Sequence, residues 1–248
     1  MSDQHTSCRY GEWYSSERGH FAMHRCKALL YSLLSGWPRR SRSILAFNAG
    51  SADFVELLWD CGFDVTAQDS APEYMDYART CLGKRAKFVL SSPDHLPFDD
   101  NSFDYAIAAA AVEFWENPET VLKEIDRLAC SGVILIFPNA WSLFGLECKV
   151  RGRDPLCAST TSLLKSPRSI LRLTRKIFGK KKTSWRSMLP GPSASWRPLR
   201  MLNPLNNAQM SIPMGAFAGL RIDFGPLYTG TPMPLRNPAP VTSGSSIL

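Results

Sequence analysis

Two periodicities take turns along this chain. Residues 20–35 place Phe21, His24, Ala28, Leu29, Tyr31 and Leu33 at roughly helical spacing, and Gly36 and Pro38 stop the helix they predict. Residues 44–47 are a short apolar run that fits a buried strand. A turn of small residues, 48–52, leads into a helix carrying Phe54, Val55, Leu57, Leu58 and Trp59, which ends at Gly62. Residues 63–68 predict a second strand ending at Asp69, and Pro72 stands where a first-turn proline opens a helix through Ala78. Residues 86–90 and 103–109 predict a third and a fourth strand. An amphipathic helix over 118–129 and a fifth strand over 132–137 follow. Strands that are continuous apolar runs, alternating with helices, predict an α/β fold with a mostly parallel central sheet covered on both faces. In such sheets ligands bind beyond the carboxyl ends of the strands, so the residues just after each strand are the first candidates for a site.

Past Trp141 the pattern weakens. Ser166 and Pro167 form a cap and first-turn proline for a helix over 168–178, with Ile170, Leu171, Leu173, Thr174 and Ile177 inward. Gly179 ends it and Lys180, Lys181 and Lys182 follow. Residues 184–214 are rich in Pro, Trp, Met and Asn, 216–224 predict a strand at the sheet edge, and the composition from about residue 229 is that of a disordered tail. The expected organisation is a helical cap (1–40), a ligand-binding core (41–145), a basic lid and substrate region that completes the sheet (146–228), and the tail (229–248).

Composition narrows the function classes. No apolar run reaches the roughly 18 residues of a membrane-spanning helix. The first residues lack the apolar core of a signal peptide. Seven cysteines without a Cys-x-x-Cys pair predict reduced thiols in a cytoplasm, and the four histidines form no metal motif. The net charge of +7 divides sharply: residues 1–140 hold 13 Lys and Arg against 19 Asp and Glu, and residues 141–248 hold 16 against 3. A basic half suggests an anionic partner, and the cationic helix within 165–186 is a candidate contact for an anionic membrane surface, which would make the protein peripheral to the membrane. A lid helix with its charges in water explains the same pattern. No nucleic-acid module is present, although Arg and Lys interleave with Trp185 and Trp196, so no nucleic acid is expected as a partner.

Three segments carry the candidate chemistry. In residues 44–58 a strand, a small-residue turn and a helix would let the amides around Asn48, Ala49 and Gly50 approach a ligand closely. In residues 64–79, Asp69 lies 19 residues beyond Gly50, where a carboxylate can accept from both hydroxyls of a ribose. Capping the following helix would also explain it, since Ser70, Ala71 and Pro72 come next. Residues 88–142 run through a strand, a polar turn with Ser92, Pro93 and Asp94, Leu96-Pro97-Phe98, an acidic turn, Ser102-Phe103-Asp104, a strand through Ala108, and a helix opened by Asn117-Pro118.

The second and third segments resemble the type 11 family of class I S-adenosylmethionine-dependent methyltransferases. Members typically read V-D-x-S-x-x-M-x-x-A-R and then D-A-x-x-L-P-F-x-D-x-S-F-D. This chain has Gln68-Asp69-Ser70, Met75, Ala78 and Arg79, then Leu96-Pro97-Phe98, Asp100 and Ser102-Phe103-Asp104, with Glu113, Pro118, Leu122 and Glu124 continuing the match. The resemblance covers roughly residues 40–145. Trp13 and the run Trp37-Pro38-Arg39-Arg40 resemble a bacterial subgroup. It implies a Rossmann-like fold, S-adenosylmethionine as cofactor, and transfer of a methyl group to a small or lipid-like substrate. The cofactor residues it implies are Asn48, Ala49, Gly50, Asp69, Ser70, Ser92, Pro93, Asp94 and Ala108; it implies no metal and assigns no catalytic residue.

The departures fall on side-chain contacts. The family's E-x-G-x-G-x-G loop is here Ala46, Asn48, Gly50 and Ala52, so the carboxylate placed near the methionine moiety is missing. Asn48 keeps access to a left-handed turn, and Gly50 keeps close approach of the backbone. Ser92 replaces the aspartate expected at adenine, and Phe114 the histidine common after the fourth strand. Each lost charged hydrogen bond costs about 1.5–3 kcal/mol, so two would carry a micromolar site toward millimolar. The alternative is therefore an inactive methyltransferase-fold protein acting as a binding or regulatory partner. Glu113, His20 and His24 are the candidate acid–base groups.

Overall fold

The computed structural model describes residues 16–47, 52–109, 111, 112, 115–151, 164–197 and 200–225. Its centre is an eight-stranded sheet in the order β3-β2-β1-β4-β5-β8-β6-β7. The strands are β1 (Ser43–Phe47), β2 (Asp64–Asp69), β3 (Ala86–Leu90), β4 (Phe103–Ala109), β5 (Ala129–Pro138), β6 (Lys182–Met188), β7 (Gln209–Met210) and β8 (Phe217–Asp223). β1 to β5 are mutually parallel, and β8 inserts antiparallel between β5 and β6. The order reverses at β1, next to β4, which is where a ligand crevice opens in an α/β sheet.

Alternation along the strands divides the core into two layers. Ile44, Ala46, Val65, Ala67, Tyr105, Ile107, Ile134 and Ile136 face one layer, shared with helices α1 (Glu17–Leu34), α2 (Ala52–Asp60) and the end of α3 (Pro72–Leu82). Leu45, Phe47, Ala106, Ala108, Val133, Leu135 and Phe137 face the other, beneath α4 (Pro118–Leu128) and α6 (Pro167–Phe178). Ser16 caps α1 by accepting from the Gly19 amide at 3.0 Å. The buried stripe of α1 is Ala22, Met23, Cys26, Leu29, Leu30, Leu33 and Leu34. His24 and Tyr31, which share the spacing read from the sequence, are instead exposed, and Arg39 lies over the Tyr31 ring.

The connection from β3 to β4 has no helix, and α4 holds it in place. Glu124 accepts from the Leu96 amide at 2.8 Å, and Arg127 donates to the carbonyl of Phe98 at 2.7 Å and to Asp100 at 2.8 Å. Phe98 stacks edge-on against Phe103. The Leu96-Pro97-Phe98 motif, Asp100 and Glu124 are thus one clamp. The Arg127 guanidinium holds Glu124 below the usual carboxylate range, against the opposing effect of burial and with help from the Leu96 amide.

Several elements, β6 and α5 (Leu143–Arg151) chief among them, have no counterpart in the sequence reading. β6 carries Lys, Thr, Ser, Trp and Arg, so it lacks the apolar run of an interior strand. It is paired on one side by β8, and β7 covers only Ser187 and Met188 on the other. Helix α5 (Leu143–Arg151) is short and has apolar residues on both its buried and its exposed sides, which blurs a helical period.

At the amino edge, where β1 to β5 begin, buried charge is matched closely. Asp223 accepts from the Trp37 indole at 2.6 Å and from Arg221 at 2.9 Å. Arg221 also donates to the carbonyls of Leu33 and Gly36 behind α1, and Trp37 stacks on Tyr105 with ring centroids 4.1 Å apart. Beside them Asp104 binds Arg42 and both the amide and the hydroxyl of Ser43. Burial pushes Asp104 up, but the Ser43 amide, Arg42 and the Ser43 hydroxyl together hold it below the usual range.

Candidate active site

The opposite, carboxyl edge collects the sequence candidates. Asp69 is the last residue of β2 and is 5% exposed. Its carboxylate accepts from the Ala71 amide at 2.9 Å, shaping the turn into α3, whose cap residue Ala71 supplies no side-chain bond of its own. Both roles read from the sequence are compatible, because a carboxylate has about four acceptor positions.

Next to Asp69 the edge holds buried polar atoms with no partner among the described residues. Gln68, fully buried, donates through Nε2 to the Ser91 carbonyl at 2.6 Å, which leaves Oε1 unbonded. The Ser91 hydroxyl and the Trp115 indole N–H are likewise buried and unpartnered. Trp115 packs edge-on against Phe47, the last residue of β1, so it flanks the strand-order reversal. Leaving such groups unpaired costs roughly 1–3 kcal/mol each, and three of the five such atoms among the described residues lie at this edge, where a ligand could complete them. The three comprise an acceptor, a donor and a hydroxyl that is both.

The remaining candidates are spread across the edge. Ser70 and Ser92 are exposed, and the Ser92 hydroxyl bonds the carboxylate of Asp94, so the pair forms a local polar turn with Pro93. Ala108 is fully buried, between Phe47 in β1 and Leu135 in β5. Asn48, Ala49, Gly50 and Glu113 lie outside the described residues, as does Trp13. His20 and His24 are exposed on α1. The first half of α1 stands at the carboxyl edge, because Lys27 pairs with Asp53 in the first turn of α2 while Leu33 and Gly36 reach the amino edge.

Comparison with known proteins agrees with this geometry. Residues 45–137 match the family model described as a methyltransferase domain. Uncharacterized methyltransferases of Mycobacterium tuberculosis and Mycobacterium bovis are 32% identical over 95 residues. Over these residues the chain is similar to methyltransferase domains of type 11. The match covers 38% of this chain and 38% of those relatives, so it spans well under half the length of each. A methyltransferase of Thermotoga maritima shares the fold with a TM-score of 0.66 at 20% identity, over 87% of this chain and 95% of that one. The magnesium protoporphyrin IX methyltransferase of Synechocystis, solved with bound SAH, has a TM-score of 0.61 at 14% identity, over 88% and 93%.

Within the matched region, Ala46 is buried beside Ala67 and Ile107 in an apolar layer, so nothing at that position replaces the carboxylate of the family it resembles. Gln68 and Trp115 were not among the residues singled out from the sequence as cofactor contacts. The available signal was local: a glutamine interrupts the apolar run Val65-Thr66-Ala67 just before the acidic strand end. Asn139 was also missed. Fully buried after β5, it donates to the carbonyls of Pro213 and Gly215, and its side-chain oxygen accepts from the Trp141 amide at 2.9 Å. It ties the start of α5 to the turn before β8, fixing the far wall of the edge.

Proposed function

We propose that the protein is an S-adenosylmethionine-dependent methyltransferase acting on a small or lipid-like substrate. The observation that carries this reading is the buried Asp69 carboxylate at the end of β2, beside the unpartnered Gln68, Ser91 and Trp115 atoms. These residues fit the cofactor: Asp69 would hold the ribose hydroxyls, and the donor, acceptor and hydroxyl suit the edge of a purine. When bound, the cofactor would supply an electrophilic methyl on its sulfonium, and the residues above would hold it in place. The chain's own contribution is placement. Asp69 is held by its turn, Trp115 by Phe47, and the α1 and α5 walls limit the approach of the nucleophile. No dedicated base is required when the acceptor loses its proton readily.

The test is calorimetric titration with S-adenosylmethionine and with its demethylated product. Binding of either at micromolar to millimolar concentration is expected, and loss of binding in Asp69→Ala assigns the ribose contact. The buried, uncharged Ala46 favours a second reading, an inactive relative that serves as a binding or regulatory partner. A folded protein that binds neither ligand at millimolar concentration establishes that alternative over the enzyme.

A further inference from the structure

We infer that the rim of the carboxyl edge built from Trp141, α5 and the turn before β8 docks on an anionic lipid bilayer, from which the methyl acceptor reaches the site. The second clause rests on the methyltransferase reading; the first does not. Leu143, Leu146 and Val150 fall at i, i+3 and i+7 of α5 and are 55%, 56% and 79% exposed. The other side of the helix is fixed inward: Phe144 and Cys148 are buried, Phe144 against Trp196, and Glu147 accepts from the amide and hydroxyl of Ser193 at 2.9 Å. Asn139 joins Trp141 to the turn carrying Ile212 and Met214, which are also more than half exposed. Soluble surfaces rarely gather large apolar side chains in this way without a partner.

Charge selects the partner. Arg168 lies over the exposed Trp141 ring at 5.0 Å, and Lys165 is held at the same place by backbone bonds to Pro138 and Ala140. Lys149 is exposed on α5. Of the three acidic residues after position 140, Glu147 is turned to Ser193, Asp223 is buried at the opposite edge, and Asp154 lies outside the described residues. A second copy of the chain would bring the same cations against this rim, and a nucleic acid would leave the leucines and valine in water. An anionic bilayer satisfies both features, with apolar side chains at the acyl boundary and Arg and Lys among the headgroups. The geometry also narrows the basic segment 165–186. Lys176 pairs with Glu119, and Lys181 lies over Phe224 beyond the amino edge, so only the start of α6 belongs to the rim.

Vesicle flotation tests this directly. The full chain should float with phosphatidylcholine vesicles containing phosphatidylglycerol, stay behind with phosphatidylcholine alone, and be released by high salt. The exposed pair Leu146→Glu with Val150→Glu should weaken capture more than tenfold, and Arg168→Ala about fivefold. Capture of the double variant equal to that of the unaltered chain overturns the proposal, as does equal capture by neutral vesicles. A chain that is dimeric in solution and becomes monomeric in the double variant assigns the rim to a second copy and overturns it too. The same samples are titrated with S-adenosylmethionine. Cofactor binding without vesicle capture removes the docking surface alone. Capture without cofactor binding keeps the surface and removes the methyltransferase reading, and with it the delivery of substrate.

Discussion

At the amino edge Asp223 is met by Trp37 and Arg221, Arg221 by two carbonyls, and Asp104 by Arg42 and Ser43. At the carboxyl edge, a strand's length away, Gln68, Ser91 and Trp115 each keep a buried polar atom with no partner among the described residues. The two ends of one sheet therefore use buried polarity for opposite purposes. Matched polar groups at the amino edge hold α1 and β8 to the sheet. Unmatched ones at the carboxyl edge lower the stability of the unliganded fold and return that free energy when a complementary ligand arrives.

Substitutions at the two ends should separate stability from binding. The largest effect is expected for Asp223→Ala, which leaves the Arg221 guanidinium buried without its carboxylate. A loss of about 3–5 kcal/mol in denaturant unfolding is expected, with cofactor affinity unchanged where the protein stays folded. A loss below about 1 kcal/mol would show that the cluster is solvated in the native state. Asp69→Asn is the counterpart: affinity for S-adenosylmethionine should fall roughly 10- to 100-fold by calorimetry, with a small change in melting temperature. An unaltered affinity would remove Asp69 from the ribose role.

Smaller effects sharpen the picture. Glu124 and Asp104 are both held below the usual carboxylate range, so their contribution is complete above their unfolded values of about 4 and fades as pH falls through the lower folded ones. Melting temperature should thus be nearly flat from neutrality to about pH 5 and drop below about pH 4. Glu124→Gln should lower stability by roughly 1–2 kcal/mol near neutrality and flatten that drop; a melting curve with the same acid slope as the unaltered chain would contradict the clamp. The smallest expected change is Gln68→Leu, with stability within about 1 kcal/mol of the unaltered protein because one orphan atom is lost with one hydrogen bond. Its cofactor affinity should nevertheless fall severalfold, and an undiminished affinity would place Gln68 outside the site.

The parallel half of the fold was legible because β1, β4 and β5 are covered on both faces and appear as apolar runs. β2 and the edge strand β3 keep enough apolar residues to show their period. The predicted spans 86–90 and 103–109 coincide with β3 and β4. β6 was not legible, since a strand near the sheet edge can carry Lys182, Ser184 and Arg186. Asp69 stood out because an acid ending an apolar strand marks the strand's carboxyl end, where a helix cap and a ligand contact are both available to it. Gln68, Trp115 and Asn139 did not, because their meaning depends on which partners they lack or find in three dimensions. The stripe on α5 was hidden for a related reason: a helix apolar on two sides has no polar face to reveal its period.

One feature of the sheet also governs how it is made. β8 lies between β5 and β6, so residues 217–223 close a gap that stays open until nearly all the described chain has been synthesised. Helix α1 is made long before β8, and Leu33, Gly36 and Trp37 find Arg221 and Asp223 only some 186 positions later. On the ribosome the apolar stripe of α1 and one flank of β5 must therefore wait uncovered. A nascent chain stalled before residue 217 should be protease-sensitive and chaperone-bound, and one released beyond residue 223 should snap shut in a single cooperative step.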